Sequence, residues 1–223
     1  MKKLIQGIVE FRKSLTEESR ELFAKLALGQ KPDTLFIACS DSRVVPNLFA
    51  STNPGDLFVL RNIGNLVPPA SSSFQDNSAS AVIEFSMFSL NVSDVIVCGH
   101  SECGACLALA KGVDALTCPH LESWLKYGKE ALHKVRNGFI INPSLSEHNQ
   151  ISQVNVLQQM EHIMSYPFVR DRVEKKQLRV HGWWFDIAHA DVYCYEKDLN
   201  QFVLIDENEA QLILGRSPEN GRS

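Results

Sequence analysis

Apolar residues at Leu4, Ile8 and Phe11 recur at helical spacing, and a second set at Leu22, Phe23 and Leu26 stops at Gly29. Ser14, with Glu17 three residues on, reads as a capping box for the second helix. The chain therefore opens with a helical arm over 1–29. Three short apolar runs follow, 34–38, 57–60 and 95–98, each ending in turn residues, with a helical stretch at 78–90 before the third. Such brief, nearly continuous runs suit parallel strands buried on both faces. Helical patterns return at 103–111, from 119 to about 135 and at 146–164, ahead of β-rich segments at 178–185, 191–195 and 202–205. The pattern predicts an α/β fold, a central and mainly parallel β-sheet flanked by helices, with an N-terminal helical extension and C-terminal β-strands. Segments 68–80 and 137–144 read as loops. Nothing divides the chain, so 1–223 is read as one domain with a mobile polar tail over 215–223.

With 44% hydrophobic and 22% charged residues, the composition is that of a globular protein. A net charge of -4 supplies no broad footprint for nucleic acid or an anionic membrane, and no apolar run reaches membrane-spanning length. Gln6 and Glu10 interrupt the first apolar residues too soon for a secretory signal. Six cysteines without such a signal point to thiols, metal binding or catalysis rather than disulfides, and so to a reducing cytoplasm.

Two clusters carry chemistry. Cys39-Ser40-Asp41-Ser42-Arg43 follows the first predicted strand, and His100-Ser101-Glu102-Cys103-Gly104 follows the third. Both fall at carboxyl ends of parallel strands, the edge where open α/β sheets bind ligands. Cys39, His100 and Cys103 offer two thiolates and an imidazole, a donor set suited to tetrahedral zinc. Three protein ligands leave a fourth position for water or for Asp41. Arg43, two residues beyond, can hold the Asp41 carboxylate bidentately and draw it off the metal. A rival reading takes Cys103-Gly104-Ala105-Cys106 as a redox C-x-x-C pair, which leaves Cys39, Asp41, Arg43 and His100 without a role. Cys98, Cys106, Cys118 and Cys194 are otherwise read as buried or incidental thiols. His181 is read as fixing a strand end, and His120, His133, His148, His162 and His189 as surface residues.

The two clusters together resemble the motifs of the β-class carbonic anhydrases. The similarity continues through Pro54-Gly55-Asp56-Leu57-Phe58, Arg61-Asn62-Ile63-Gly64-Asn65 and His181-Gly182-Trp183. The resemblance implies a zinc lyase, with one Zn²⁺ per chain, that interconverts CO₂ and bicarbonate through a metal-bound hydroxide. It assigns Cys39, His100 and Cys103 as metal ligands, Asp41 as a further ligand only in a closed state, and Asp41 with Arg43 as the catalytic pair. Gln30, Phe58, Ile63, Phe85 and Gly104 fall at its substrate-facing positions, Phe85 replacing a usual tyrosine. It also implies a homodimer or homotetramer whose amino-terminal helices embrace the partner. Some bacterial members carry an inhibitory bicarbonate site of Trp, Arg and Tyr. Here only Arg61 matches, with Phe36 and Phe185 at the aromatic positions, so no such site is expected. Hydrolysis of carbon disulfide or carbonyl sulfide on the same scaffold stays open as an alternative.

Overall fold

The computed structural model describes residues 1–75, 77–112 and 117–216. The sheet follows from alternation within its central strand. In β1 (Thr34–Cys39), Leu35 and Ile37 face one core cluster while Phe36 and Ala38 face another, and all four are fully buried. β2 (Leu57–Asn62) and β3 (Asp94–His100) flank β1 in parallel, and β4 (Arg179–Asp186) extends the parallel set beside β3. β5 (Asp191–Glu196) and β6 (Gln201–Leu204) add an antiparallel meander, giving the order β2-β1-β3-β4-β5-β6. The chain leaves β1 to one side and returns on the other, so a crevice opens between the carboxyl ends of β1 and β3. Both predicted clusters emerge there.

Ten α-helices are described. α1 (Lys2–Ser14) and α2 (Glu17–Leu26) form the arm, and neither buries a residue within the protomer. The predicted capping box is displaced. Ser14 ends α1 with its hydroxyl on the Phe11 carbonyl, and Thr16 caps α2 by accepting the Ser19 N–H at 3.1 Å. α3 (Pro46–Phe49), α4 (Asn77–Phe88) and α5 (Gly104–Lys111) follow β1, precede β3 and follow β3, respectively. The single helix expected from 119 to 135 is two, α6 (Pro119–Leu125) and α7 (Lys129–Arg136), separated by a tight turn that buries Tyr127. The predicted loop at 68–80 ends early, because α4 begins at Asn77 after a 3-10 turn at Ala70–Gln75. α8 (Glu147–Met164) crosses the sheet, with α9 (Pro167–Glu174) after it and α10 (Glu207–Arg216) at the end. Gly215 and Arg216 thus belong to a helix, and the rest of the expected tail lies outside the described residues.

α8 lies close to the sheet because two strand positions lack side chains. A Cβ on Gly99 would come within 2.7 Å of Val156 Cγ2, and one on Gly182 within 2.7 Å of Met160 Sδ. At the amino-terminal edge, Arg179 holds Asp94 bidentately and His181 Nε2 meets it at 3.0 Å, so His181 does secure a strand end. No helix among the described residues is long and apolar enough to cross a membrane.

Candidate metal centre

Cys39 ends β1, His100 ends β3, and Cys103 is the N-cap of α5. All three are buried, and their ligand atoms lie within 4.8 Å of one another. His100 Nδ1 lies 2.8 Å from the Ser101 carbonyl oxygen, which fixes that nitrogen as the donor. Its Nε2 is buried and has no hydrogen-bond partner. A buried imidazole lone pair beside two thiols is the feature a soft or borderline cation satisfies. The thiols point the same way. The Cys103 thiol alongside, and then burial, push Cys39 up to about 12, and Cys103 is raised by Cys106 beside it. Both sulfurs therefore bind as thiolates only where a dication supplies the missing positive charge. The donor set fits zinc.

Gly64, at φ +77°, donates its N–H to Cys39 Sγ at 3.3 Å, a contact made from the left-handed region that glycine enters freely. Asp41 is turned to Arg43. Its Oδ1 accepts Arg43 Nε at 2.9 Å and the Arg43 backbone N–H at 3.0 Å, and its Oδ2 accepts Nη2 at 2.8 Å. The Arg43 guanidinium beside it holds the Asp41 carboxyl well below the usual carboxylate range. Asp41 stands outside the three-residue donor group, as the open arrangement requires. Arg61 staples the same segment, donating to the carbonyls of Cys39 at 2.9 and 3.0 Å and of Asp41 at 2.7 Å.

A hollow of about 300 Å³ is lined by Ser40, Arg61, Ile63, Ser78, Ala79 and Trp124, and the Trp124 indole donates to the Ile63 carbonyl at 2.8 Å. Of the substrate-facing residues expected from the sequence, Ile63 lines this hollow and Gly104 opens α5 directly after Cys103, with open space where a Cβ would stand. Gln30, Phe58 and Phe85 are not part of its lining. Phe58 and Phe85 pair with each other at 5.7 Å between ring centroids, while Gln30 lines a separate hollow with Phe23 and Leu26.

Sequence reasoning missed a row of polar side chains on α8. Ser152 donates to the His100 carbonyl at 2.7 Å, Asn155 to the Gly64 carbonyl at 3.1 Å, and Gln159 accepts the Val67 N–H at 2.8 Å. Asn149 and His148 both bind Glu102, and these two partners, Asn149 foremost, hold the Glu102 carboxyl below its ordinary value. The signal in the sequence is the recurrence of Asn149, Ser152, Asn155 and Gln159 at helical spacing, which places them on one face of α8 without naming their partners. Two histidines also depart from the surface reading. His148 has a side chain only 18% exposed, and His162 is half-buried with Nδ1 2.7 Å from the Val67 carbonyl, where burial lowers its proton affinity.

Residues 34–192 match the sequence profile described as carbonic anhydrase. A carbonic anhydrase of Helicobacter pylori strain J99 is 35% identical over 215 residues, covering 93% of this chain and 96% of that protein. Among solved structures, the β-carbonic anhydrase CcaA superposes with a TM-score of 0.85 at 35% identity, over 92% of this chain and 98% of that one. One of the tetrameric β-carbonic anhydrases of the ascomycete Sordaria macrospora follows, with a TM-score of 0.75 at 30% identity over 86% and 94% of the two chains. With most of its length matched both in sequence and in fold, the chain belongs to the β-carbonic anhydrase family.

Proposed function

We propose that this chain catalyses the reversible hydration of CO₂ to bicarbonate and a proton, with one Zn²⁺ held by Cys39, His100 and Cys103. The observation that carries the assignment is the buried, unpartnered His100 Nε2 beside two buried thiols at the edge where Asp41 and Arg43 converge. Zinc in that position supplies Lewis acidity, lowering the proton affinity of water and stabilising negative charge that develops on oxygen.

The protein's own residues orient the reaction. Arg43 donates three hydrogen bonds to Asp41, so this carboxylate stays ionised and keeps a fixed direction. Its remaining lone pairs accept a hydrogen bond from the attacking water. Because Asp41 is held well below the usual carboxylate range, it aligns the water and does not store the proton, which passes to buffer. Ile63 gives the hollow an apolar wall, and the Gly104 N–H, as the first of α5, has no acceptor within its helix and is free to meet a developing oxyanion. Cys103 is buried and its thiol is raised, the opposite of the exposed, low-pKa thiolate that a redox C-x-x-C pair needs.

The active unit we propose is a homodimer that pairs further into a tetramer. Leu4, Ile8, Phe11 and Phe23 are exposed on an arm that buries nothing within the protomer, so an apolar surface awaits a second copy. Gln30, Phe58 and Phe85 would then approach the hollow from the partner. No inhibitory bicarbonate site is proposed. Arg61 is committed to two backbone carbonyls, Phe36 is fully buried against Trp183, and Phe185 stacks on Phe49 at 4.7 Å, so neither aromatic position offers a donor. Stopped-flow CO₂ hydration on metal-quantified protein tests the reading. Fast hydration with one zinc per chain, and no cooperative loss in millimolar bicarbonate, is expected. Zinc-loaded protein inert toward CO₂ at every pH would overturn it.

A further inference from the structure

The guanidinium of Arg43 has a third attachment besides Asp41. Its Nη2 donates to the Glu102 carbonyl at 3.0 Å, which ties the loop after β1 to the loop after β3. Asp41 and Arg43 lie on one short segment. Arg61 pins the backbone of that segment through the Cys39 and Asp41 carbonyls, but the mutual bonds of Asp41 and Arg43 do not by themselves fix where their side chains point. The Glu102 carbonyl is the partner that reaches the guanidinium itself from outside the segment.

That carbonyl faces Arg43 from an unusual backbone. Glu102 has φ +56°, a left-handed conformation that a residue with a side chain seldom adopts. Asn149 grips Glu102 at both ends. Its Oδ1 accepts the Glu102 N–H at 2.7 Å, and its Nδ2 donates to Glu102 Oε1 at 2.9 Å. His148 Nε2 meets the other carboxylate oxygen at 3.1 Å. The residue on the amino-terminal side is equally held. Ser101 donates its N–H to the Phe185 carbonyl at 2.9 Å and its hydroxyl to Asp186 at 3.0 Å. Asn149 is itself buried on α8, whose approach to the sheet is set by Gly99 and Gly182.

We propose that Asn149 is a positioning residue for the Asp41–Arg43 pair: its carboxamide holds Glu102 in the left-handed conformation, so that the Glu102 carbonyl anchors the Arg43 guanidinium. The inference rests on the catalytic role proposed above for Asp41. The Glu102 side chain acts here as a handle on its own backbone and not as a charge, which separates this reading from an electrostatic one. A charge role makes Glu102→Gln inactive and Glu102→Gly no better than Glu102→Ala. The positioning role predicts the reverse. Glutamine keeps an acceptor for Asn149, and glycine enters φ +56° without a side chain to hold it there.

The test uses the zinc-loaded protein. Asn149→Ala is expected to lower kcat by about ten-fold, with KM and metal content unchanged, since a small misplacement of an orienting group has effects of this size or larger. Glu102→Gln, which keeps an acceptor for Asn149, should retain more kcat than Glu102→Ala, and Glu102→Gly should also exceed Glu102→Ala. The Nε–Hε signal of Arg43, followed by nuclear magnetic resonance, should exchange faster with solvent in Asn149→Ala and in Glu102→Ala than in the unmodified protein. Unchanged kcat or unchanged Arg43 exchange in Asn149→Ala overturns the proposal, and so does equal loss in the glycine and alanine variants. If the unmodified protein itself fails to hydrate CO₂, the functional reading falls while the Arg43 signal still decides whether the clamp exists.

Discussion

Replacing Gly99 by alanine places a methyl group between β3 and α8, and its consequence can be worked from the packing. The new Cβ would lie 2.7 Å from Val156 Cγ2, and 3.3 Å from both the carbonyl oxygen and the hydroxyl of Ser152. Ordinary carbon contact is about 3.5–4.0 Å, so the approach to Val156 is short by roughly an ångström. Val156 is fully buried and β-branched, with one strongly preferred rotamer in a helix, and the Ser152 carbonyl is backbone. Relief must therefore come from moving α8, not from turning a side chain. Overpacking of this kind costs about 1–3 kcal/mol, offset by about 0.4–1 kcal/mol from the stiffer unfolded chain. The net loss, centred near about 1.3 kcal/mol from the midpoints of these ranges, corresponds to a fall in Tm of roughly 3–5 °C for a domain of this size. Calorimetry of zinc-loaded protein at one fixed protomer concentration measures it, because assembly and metal both shift Tm. Gly29→Ala is the control, as its Cβ meets nothing within 4 Å. Since Ser152 moves with α8 and holds the His100 carbonyl, zinc should also leave Gly99→Ala faster on chelation. A Tm equal to or above that of the unmodified protein would refute the claim that these glycines set the helix-to-sheet distance.

Asp41→Asn sets an amide NH₂ against Arg43 Nη2, and kcat should fall by about a hundred-fold or more at unchanged zinc content; a fall of less than about three-fold, read by stopped flow, would remove Asp41 from the mechanism. Cys39→Ser should reduce zinc affinity by more than the 10- to 100-fold typical of lost outer-shell partners, by competition with a chromogenic chelator, and full retention would rule Cys39 out as a ligand. Asp41 is depressed by Arg43, and Asp186 is depressed by His189 and Ser101 even though burial opposes it. A depressed carboxyl stabilises the fold above its unfolded value of 3.8 and loses that contribution as pH falls through the lower folded value, so the chemical midpoint should hold to about pH 5 and decline below about pH 4. Ile8→Asp with Phe23→Asp charges the exposed arm and should shift light-scattering mass toward the monomer, an unchanged oligomer telling against the arm as its interface.

What the sequence revealed, and what it hid, divides along the range of the interactions. The strands were legible because β1 and β3 are buried on both faces and so read as plain apolar runs. The edges of helices were less so. Ser14-x-x-Glu17 and Thr16-x-x-Ser19 both offer a cap for α2, and the choice fell to Thr16 because Ser14 is still in α1, bonded back to Phe11. α3 and α9 went unread because, at four and eight residues, neither is long enough to repeat an apolar stripe.

The same division runs through the site. Cys39, Asp41 and Arg43 lie within five residues at a strand end, and His100 and Cys103 within four at another, so adjacency and the carboxyl-edge rule suffice to join them. Asn149, Ser152, Asn155 and Gln159 reach backbone groups 47 to 92 residues away in sequence, and their helical spacing shows a shared face but not which distant groups they bond. Yet these four explain why the legible residues meet. The strands satisfy only some donors and acceptors of the loops after β1 and β3 and of the turn at Gly64, and burying the rest around a metal requires partners from elsewhere. A long helix laid across the sheet supplies those partners at three- and four-residue spacing, and it can lie there only because Gly99 and Gly182 leave room. The chemistry is written in two short motifs, and its geometry is held by a helix that carries none of it.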